Sequence, residues 1–269
     1  MLTSEIIGYV CAVAMGITLG LVGGGGSILT IPILVYLFHI NAKLATTYSL
    51  FIVGCTSAIG AFTHFRLGNI QLKPAMQFAI PSLASILLVR KFLLPLLPNT
   101  IFAIGQFPVS KEILIMLVFA TFMLAASYFM IKPSQPVAAT KTPNGSRVLL
   151  LGTLVGMVTG FLGAGGGFLI IPALLFFTNI SLKQAVGTSL LIIAFNSLLG
   201  FIGDVVMKVV IDYLFIFQIA ALAAIGIIIG TQLSKKINGA KLKPAFGWFV
   251  LVMGIYIITK EMFFEGVND

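Results

Sequence analysis

The chain has 269 residues, of which 59% are hydrophobic and only 9% charged, and its formal net charge is +9. A soluble globular domain carries about 25% charged residues, so this chain cannot cover a surface that faces water, and a cytosolic enzyme, a secreted disulfide scaffold and a disordered chain are excluded. A membrane-spanning helix needs about 20 apolar residues. The composition therefore predicts an all-α integral membrane protein of the cell membrane, with many crossings.

Apolar runs follow one another along the chain, separated by short segments with charges and turn residues. The runs cover residues 5–22, 27–39, 44–65, 71–98, 111–131, 148–163, 167–179, 184–203, 209–234 and 244–260. Between 132 and 147 the sequence KPSQPVAATKTPNGSR contains three prolines and an Asn-Gly pair, which is typical of a flexible connector. The chain is therefore predicted to contain a first transmembrane repeat (1–131), a linker (132–147) and a second transmembrane repeat (148–269).

The two halves share an internal sequence repeat. When the sequence is shifted by 140 residues, 16–60 aligns with 156–200 without a gap, and 17 of the 45 residues are identical. The strongest block is GLVGGGGSILTIP (20–32) against GFLGAGGGFLIIP (160–172). With one inserted residue the match continues and places Gln77 on Gln218. Because the identities concentrate on Gly, Pro and Ser, they indicate a duplication, with about four helical units in each repeat.

The first unit of each repeat is predicted to be broken at its glycine-rich block. A glycine costs a helix about 1 kcal/mol relative to alanine, and Pro32 and Pro172 each remove a backbone donor. Non-helical backbone survives at membrane depth only where protein buries it or a wet cavity receives it. Broken helices at matching positions of two halves indicate the substrate site of a transporter. The alternative is that the glycines only allow helices to pack closely.

The break is either a kink in one long crossing or the tip of a re-entrant hairpin. If each of eight major units crosses once, the sixteen Lys and Arg residues divide nine against seven between the two faces. If 5–39 and 148–179 are hairpins, they divide ten against six. The positive-inside rule favours the hairpins. The repeats would then be inverted, with both termini outside and the two tips approaching the midplane from opposite faces.

Small polar residues recur beside both breaks. Ser49 and Ser57 lie eight residues apart on one helical face, and Ser189 and Ser197 repeat that spacing. Helix N-termini attract anions, so hydroxyl groups around two of them suit an oxyanion. The alternative is that each hydroxyl bonds to its own backbone or holds helices together. The predicted substrate-binding residues are Gly23, Gly24, Gly25, Gly26, Ser27, Thr47, Ser49, Ser57, Gly163, Gly165, Gly166, Gly167, Thr188, Ser189, Asn196 and Ser197.

The predicted spans carry no charge near their middle, so we expect an uncharged site with no metal, no cofactor, no nucleic acid and no enzymatic activity. His64 and Asp204 occupy the same position of the two repeats, and each lies at or next to the end of an apolar run. Histidine titrates near neutral pH, and the pair is therefore a candidate for coupling transport to protons. The alternative is that both are ordinary polar helix ends, with Asp204 offset by Lys208.

Three motifs carry a resemblance to a known family. The block GLVGGGGSILTIP, the stretch ATTYS (45–49) and its duplicate AVGTS (185–189) resemble the sulfite exporter TauE/SafE family, also called the 4-toluene sulfonate uptake permease family. The first copy has Thr47-Tyr48 where the second has Gly187-Thr188, so we expect an asymmetric pocket there.

The resemblance, which extends over nearly the whole chain, implies a transporter of sulfur-containing anions such as sulfite, thiosulfate or organosulfonates. We therefore expect a secondary transporter in the lipid bilayer that works by alternating access around a midplane site formed by the two glycine breaks. The alternatives are a small-anion channel and a membrane scaffold or accessory subunit that transports nothing. The sequence leaves the coupling ion and assembly into a homo-oligomer open.

Overall fold

Helices form nearly all of the first half of the chain. The computed structural model describes residues 2–98, 100–104, 107–131, 145–163, 166–178, 180–234 and 239–263. The helices of the first half are α1 (Leu2–Val22), α2 (Thr30–Tyr36), α3 (Ala42–Arg66), α4 (Leu72–Leu88), α5 (Leu94–Leu96) and α6 (Lys111–Ile131). A 3₁₀ helix (Gly24–Leu29) joins α1 to α2, and a π-helical segment (Val89–Leu93) joins α4 to α5.

The described residues of the second half also form helices. Its helices are α7 (Gly145–Leu162), α8 (Gly167–Phe177), α9 (Leu182–Val206), α10 (Tyr213–Ser234) and α11 (Gly239–Phe263). α8 begins at Gly167, the first residue of the apolar run 167–179. α7 begins three residues inside the predicted linker, and residues 132–144 of that linker lie outside the described residues.

The prediction of an all-α integral membrane protein is confirmed for the membrane-spanning part. Within the described residues, six helical segments are long and apolar enough to cross a bilayer: Glu5–Val22, Ala42–Arg66, Leu72–Leu96, Lys111–Tyr128, Lys183–Val206 and Tyr213–Ser234. No apolar run of the sequence covers residues 99–110. Between α5 and α6 the structure has a short antiparallel hairpin of β1 (Thr100–Ile104) and β2 (Phe107–Ser110).

The chain reverses its direction at the first glycine break. Gly23 has a φ of +73°, a conformation that favours glycine. After the break, a Cβ added to Gly26 would lie 2.4 Å from the backbone nitrogen of Leu19. Farther on, the ring of Phe38 lies 5.3 Å from the ring of Tyr9. Later residues thus contact earlier ones in α1, so the 3₁₀ helix and α2 fold back along α1.

At the second glycine break the chain also turns back on the helix that precedes it. Gly163 and Gly166 have φ values of +67° and +65°. A Cβ added to Gly166 would lie 2.0 Å from the hydroxyl oxygen of Thr159. In the 140-residue shift this pair corresponds to Gly26 and Leu19, so the chain folds back on α7 as it folds back on α1.

The 25-residue helices α3 and α9 pack against each other in opposite directions. Near the start of α3, Thr47 contacts Asp204 near the end of α9. Near the end of α3, a Cβ added to Gly60 would lie 3.1 Å from the side chain of Leu190. Because α3 and α9 are equivalent in the sequence repeat, equivalent elements run antiparallel at the centre of the molecule.

Each half packs its first helix against a helix of the other half. A Cβ added to Gly16 in α1 would lie 2.1 Å from the carbonyl oxygen of Ala223 in α10, and one added to Gly156 in α7 would lie 2.3 Å from that of Ser82 in α4. Gly156 is the repeat equivalent of Gly16, and Ser82 is that of Ala223. Glycines allow such close backbone approach between membrane helices, so the duplicated glycines produce two equivalent interfaces.

We expect Gly226→Ala to destabilise the protein and Gly200→Ala to leave its stability unchanged or slightly higher. A Cβ at Gly226 would meet the carbonyl oxygen of Val13 at 2.2 Å, whereas one at Gly200 meets only the ends of side chains at 3.3 Å. Overpacking of this kind costs about 1–3 kcal/mol. The measurement is the thermal unfolding midpoint of each purified variant in detergent. Equal midpoints for both variants would contradict the packing described here.

Candidate functional site

The two glycine breaks meet each other backbone to backbone. A Cβ added to Gly24 would lie 2.2 Å from the carbonyl oxygen of Gly167, and one added to Gly167 would lie 2.4 Å from the Cα of Gly24. No side chain fits between them, which explains glycine at both positions. Gly25 lies in the same 3₁₀ helix as Gly24, and the predicted site residue Gly165 lies outside the described residues.

Each break also contacts the central helix of the other half. A Cβ added to Gly23 would lie 3.4 Å from the hydroxyl oxygen of Ser189 in α9. A Cβ added to Gly163 would lie 2.6 Å from the carbonyl oxygen of Thr46 in α3. The structure therefore brings both breaks together with the first turns of α3 and α9, where several predicted site residues lie.

Some of the predicted hydroxyl groups have local partners. The Ser27 hydroxyl donates to the carbonyl oxygen of Gly24 at 2.7 Å, and that of Ser189 donates to the carbonyl oxygen of Val186 at 2.8 Å. The Thr188 hydroxyl accepts a hydrogen bond from the Gln71 backbone at 3.0 Å. These three contacts agree with the alternative interpretation, in which the serine and threonine hydroxyls bond to backbone groups.

Other predicted polar groups are buried without such a partner. The hydroxyl groups of Ser49, Ser57 and Ser197 and the side-chain carbonyl oxygen of Asn196 have no hydrogen-bond partner among the described residues. The amide nitrogen of Asn196 donates to the Ser82 hydroxyl at 2.8 Å. A buried polar group left unpaired costs about 1–3 kcal/mol. These groups are therefore suited to receiving a polar ligand.

A buried ion pair lies beside the second break. The Nε of Arg90 donates to Oδ1 of Asp204 at 2.7 Å, and a terminal nitrogen of the same guanidinium donates to Oδ2. Arg90 is only 5% exposed and Asp204 only 4%. The Thr47 hydroxyl donates to Oδ2 of Asp204 at 2.7 Å and accepts from the guanidinium at 3.1 Å.

Two further groups complete this set of contacts. The Gly160 carbonyl oxygen accepts from the Arg90 guanidinium at 3.3 Å, and the Thr46 hydroxyl lies 3.5 Å from it. We call Arg90, Asp204, Thr46, Thr47 and Gly160 the Arg90 cluster. It joins the π-helical segment after α4 with α3, α7 and α9, and it satisfies most of the hydrogen-bonding capacity of both charged groups.

The Arg90 cluster corrects two expectations from the sequence. The site is not free of charge, because Arg90 lies inside the candidate span Leu72–Leu96. Asp204 is not offset by Lys208, which is exposed; its partner is Arg90, 114 residues away. One feature of the sequence could have pointed to Arg90 as a buried residue. The apolar run 71–98 that contains it has 28 residues, more than the length of about 20 that one span needs.

The equivalent positions in the other half carry different groups. By the repeat, Arg90 corresponds to Thr231, Asp204 to His64 and Thr47 to Gly187. His64 is buried next to Gly187, where an added Cβ would lie 3.0 Å from the His64 Cβ. Thr231 donates to the carbonyl oxygen of Ile227 at 2.7 Å.

His64 and Asp204 lie at opposite ends of the α3–α9 pair. Asp204 contacts Thr47, and His64 is 17 residues farther along α3, or about 25 Å at 1.5 Å per residue. The two candidates for proton coupling thus lie towards opposite ends of the same helix pair. No three His, Cys, Asp or Glu side chains of the described residues come together as a metal site requires.

A pocket of about 590 Å³ lies between α3 and α9. Its walls are apolar side chains such as Phe62, Phe195 and Leu198, and no predicted anion ligand lines it. An oxyanion needs hydrogen-bond donors, so this pocket does not suit one. The chemistry available for an anion is at the glycine breaks and in the Arg90 cluster.

The fold and the site define a multi-pass membrane protein built around two glycine-broken helices. The family model of the sulfite exporter TauE/SafE matches residues 9–257, and the chain belongs to this family. The resemblance expected from the sequence is confirmed.

Similar proteins are named as membrane transporters. A "Probable membrane transporter protein" of Xylella fastidiosa (strain 9a5c) is 27% identical over 255 residues, which cover 92% of each chain. The "Probable membrane transporter protein YdhB" of Bacillus subtilis (strain 168) is 27% identical over 91% of this chain and 96% of its own length. A "Probable membrane transporter protein" of Haemophilus influenzae (strain Rd) is 25% identical over 91% and 94%. No solved structure matches the chain significantly.

Proposed function

We propose that this membrane transporter is a secondary transporter of small sulfur-containing anions, of the sulfite, thiosulfate or organosulfonate class. The observation that carries the proposal is the contact between the glycine breaks Gly24 and Gly167, which brings two helix-breaking segments together inside the protein. Broken helices that meet between two repeats are typical of the substrate site of a secondary transporter. The family match supports an anion that contains sulfur.

We further propose that the two halves, 1–131 and 148–269, are inverted repeats that rock against each other. The antiparallel packing of α3 and α9 and the equivalent interfaces α1–α10 and α7–α4 support this arrangement. Each half would contribute three crossings and one hairpin, with both termini outside. Arg90 is buried in an ion pair and does not face lipid headgroups, so its removal from the count sharpens the charge bias to ten against five.

The proposed binding residues are the backbone at the two glycine breaks and the buried polar groups of Ser49, Ser57, Asn196 and Ser197. Their hydroxyl and amide groups lie on the two central helices that the breaks contact. Because they are buried, their hydrogen bonds to an anion would form in a medium of low dielectric constant, where such bonds are stronger than in water.

We expect purified protein in liposomes loaded with unlabelled thiosulfate or sulfite to take up labelled thiosulfate by counterflow. Ser49→Ala and Ser197→Ala should each weaken the apparent affinity by about 1–3 kcal/mol, because each removes a hydrogen bond to a charged partner. Ser127→Ala is the matched control: Ser127 is also buried, but its hydroxyl bonds to the carbonyl oxygen of Leu124 in α6.

Uptake without stimulation by internal anion would indicate a channel instead, and no uptake of sulfite, thiosulfate or taurine would leave a scaffold or accessory subunit as the function. If Ser49→Ala and Ser197→Ala both behave as Ser127→Ala does, these serines hold helices together and bind no substrate.

The topology has its own test. Alkaline phosphatase fused after Asp269 should be active in a bacterial host, because this enzyme folds only outside the cytoplasm and the C-terminus is proposed to lie there. The same reporter fused after Ile131, at the end of α6, should be inactive. The reverse pattern would overturn the proposed orientation.

We also propose that protons are the coupling ion and that His64 and Asp204 exchange them. His64→Ala and Asp204→Asn should then flatten the pH dependence of net uptake while exchange at equilibrium continues. Thiosulfate is the substrate for this test, because its own charge is constant near neutral pH. If both variants show the same pH profile as the unmodified protein, His64 and Asp204 have only a structural role.

A further inference from the structure

The Arg90 cluster places a permanent cation beside the second glycine break. The Thr46 carbonyl oxygen lies against Gly163, and the Thr46 and Thr47 hydroxyls face the Arg90 guanidinium. Gly160, whose carbonyl oxygen accepts from the same guanidinium, precedes that break by three residues in α7. The cation therefore lies among the elements that the proposed function uses for substrate binding.

Two neighbouring nitrogens of the Arg90 guanidinium, which we call the fork, are occupied by a carboxylate. Two nitrogens of the guanidinium donate to the two oxygens of Asp204. A sulfite, thiosulfate or sulfonate group presents a similar pair of oxygens, and a guanidinium binds such groups through the same two parallel hydrogen bonds. The Asp204 carboxylate therefore makes the same two hydrogen bonds with Arg90 that a bound oxyanion would make.

We propose that Arg90 binds the transported anion and that the Asp204 carboxylate takes the place of that anion when no substrate is bound. This inference rests on the proposed function, because it assigns the cation for the same substrate. A buried cation must keep an anionic partner, and two anions against one buried cation are unfavourable. Substrate and the Asp204 carboxylate therefore compete for one fork, and Thr47, which already bridges both charges, is positioned to donate to either.

The difference between the halves supports an exchange at one end only. The equivalents of Arg90 and Asp204 are Thr231 and His64, so the fork has no counterpart at the other end of the α3–α9 pair. At that end the equivalent positions carry the Thr231 hydroxyl and the His64 imidazole in place of a guanidinium and a carboxylate.

The test is calorimetric titration of the purified full-length protein with thiosulfate and with sulfate, at constant pH and ionic strength. Asp204→Asn keeps the volume of the side chain but removes its charge, so the fork is no longer held by a competitor. We expect thiosulfate to bind this variant roughly tenfold or more tightly, the lower end of what a hydrogen bond to a charged group contributes. A merely structural ion pair would give unchanged or weaker binding on loss of one partner, and that result would overturn the proposal.

A second variant keeps the test decisive if Asp204→Asn does not fold. The double variant Arg90→Met/Asp204→Leu removes both charges together, a replacement that buried ion pairs often tolerate. It should fold and bind neither anion. Lys91→Gln is the matched control, because it removes one positive charge from the adjacent residue, whose side chain is exposed, and it should bind as the unmodified protein does.

The outcomes separate this inference from the proposed function. If the unmodified protein shows thiosulfate counterflow and the double variant keeps the same affinity, Arg90 is not the binding cation, and the proposed function stands. If the unmodified protein transports no sulfur anion, the proposed function fails. In that case tighter binding of sulfate by Asp204→Asn still supports the fork as an anion site, and equal binding overturns it.

Discussion

The whole fold depends on the need to bury broken backbone away from lipid. In the hydrocarbon core every backbone N–H and C=O must find a partner inside the protein, so an interrupted helix survives only where protein surrounds it. The breaks at Gly23 and Gly163 meet this condition because they contact α9 and α3, while their neighbours Gly24 and Gly167 contact each other. The close helix pairs α1–α10 and α4–α7 hold both broken units in that position.

A second constraint is electrostatic. A guanidinium and a carboxylate that are both nearly inaccessible are costly to separate unless another charged group replaces the lost partner, because an uncompensated charge would otherwise remain in a medium of low dielectric constant. Apolar residues of similar size commonly replace such pairs without loss of stability, so the fold itself does not require Arg90 and Asp204. Ionisable residues inside membrane spans are typically functional. The position of the pair next to the break at Gly163 agrees with that rule.

The sequence predicted the helical class and both glycine breaks, because these are properties of local composition. The duplication rests on a direct comparison between the halves and stays a prediction. The sequence analysis missed the Arg90 cluster for a physical reason. Arg90 lies in an apolar run in which a π-helical segment and α5 extend α4, so length alone did not separate a buried arginine from one at the membrane surface. Its partner Asp204 is 114 residues away, and sequence proximity pointed to Lys208 instead. The hairpin of β1 and β2 has too little alternation to be recognised.

The reciprocal contacts follow the sequence similarity between the two halves, and the differences between the halves account for the different groups at the two ends of the α3–α9 pair. A bound ligand shifts a conformational equilibrium only by the difference between its affinities for the two states. Two identical halves would present the same groups towards both faces, and an anion would then favour neither state. In this chain the repeat equivalents of Arg90, Asp204 and Thr47 are Thr231, His64 and Gly187. One end therefore carries a permanent cation with its own carboxylate, and the other end carries an imidazole. In the proposed inverted arrangement, the energy of a buried anion therefore differs between the two ends, and binding of the proposed anion shifts the equilibrium between the two states.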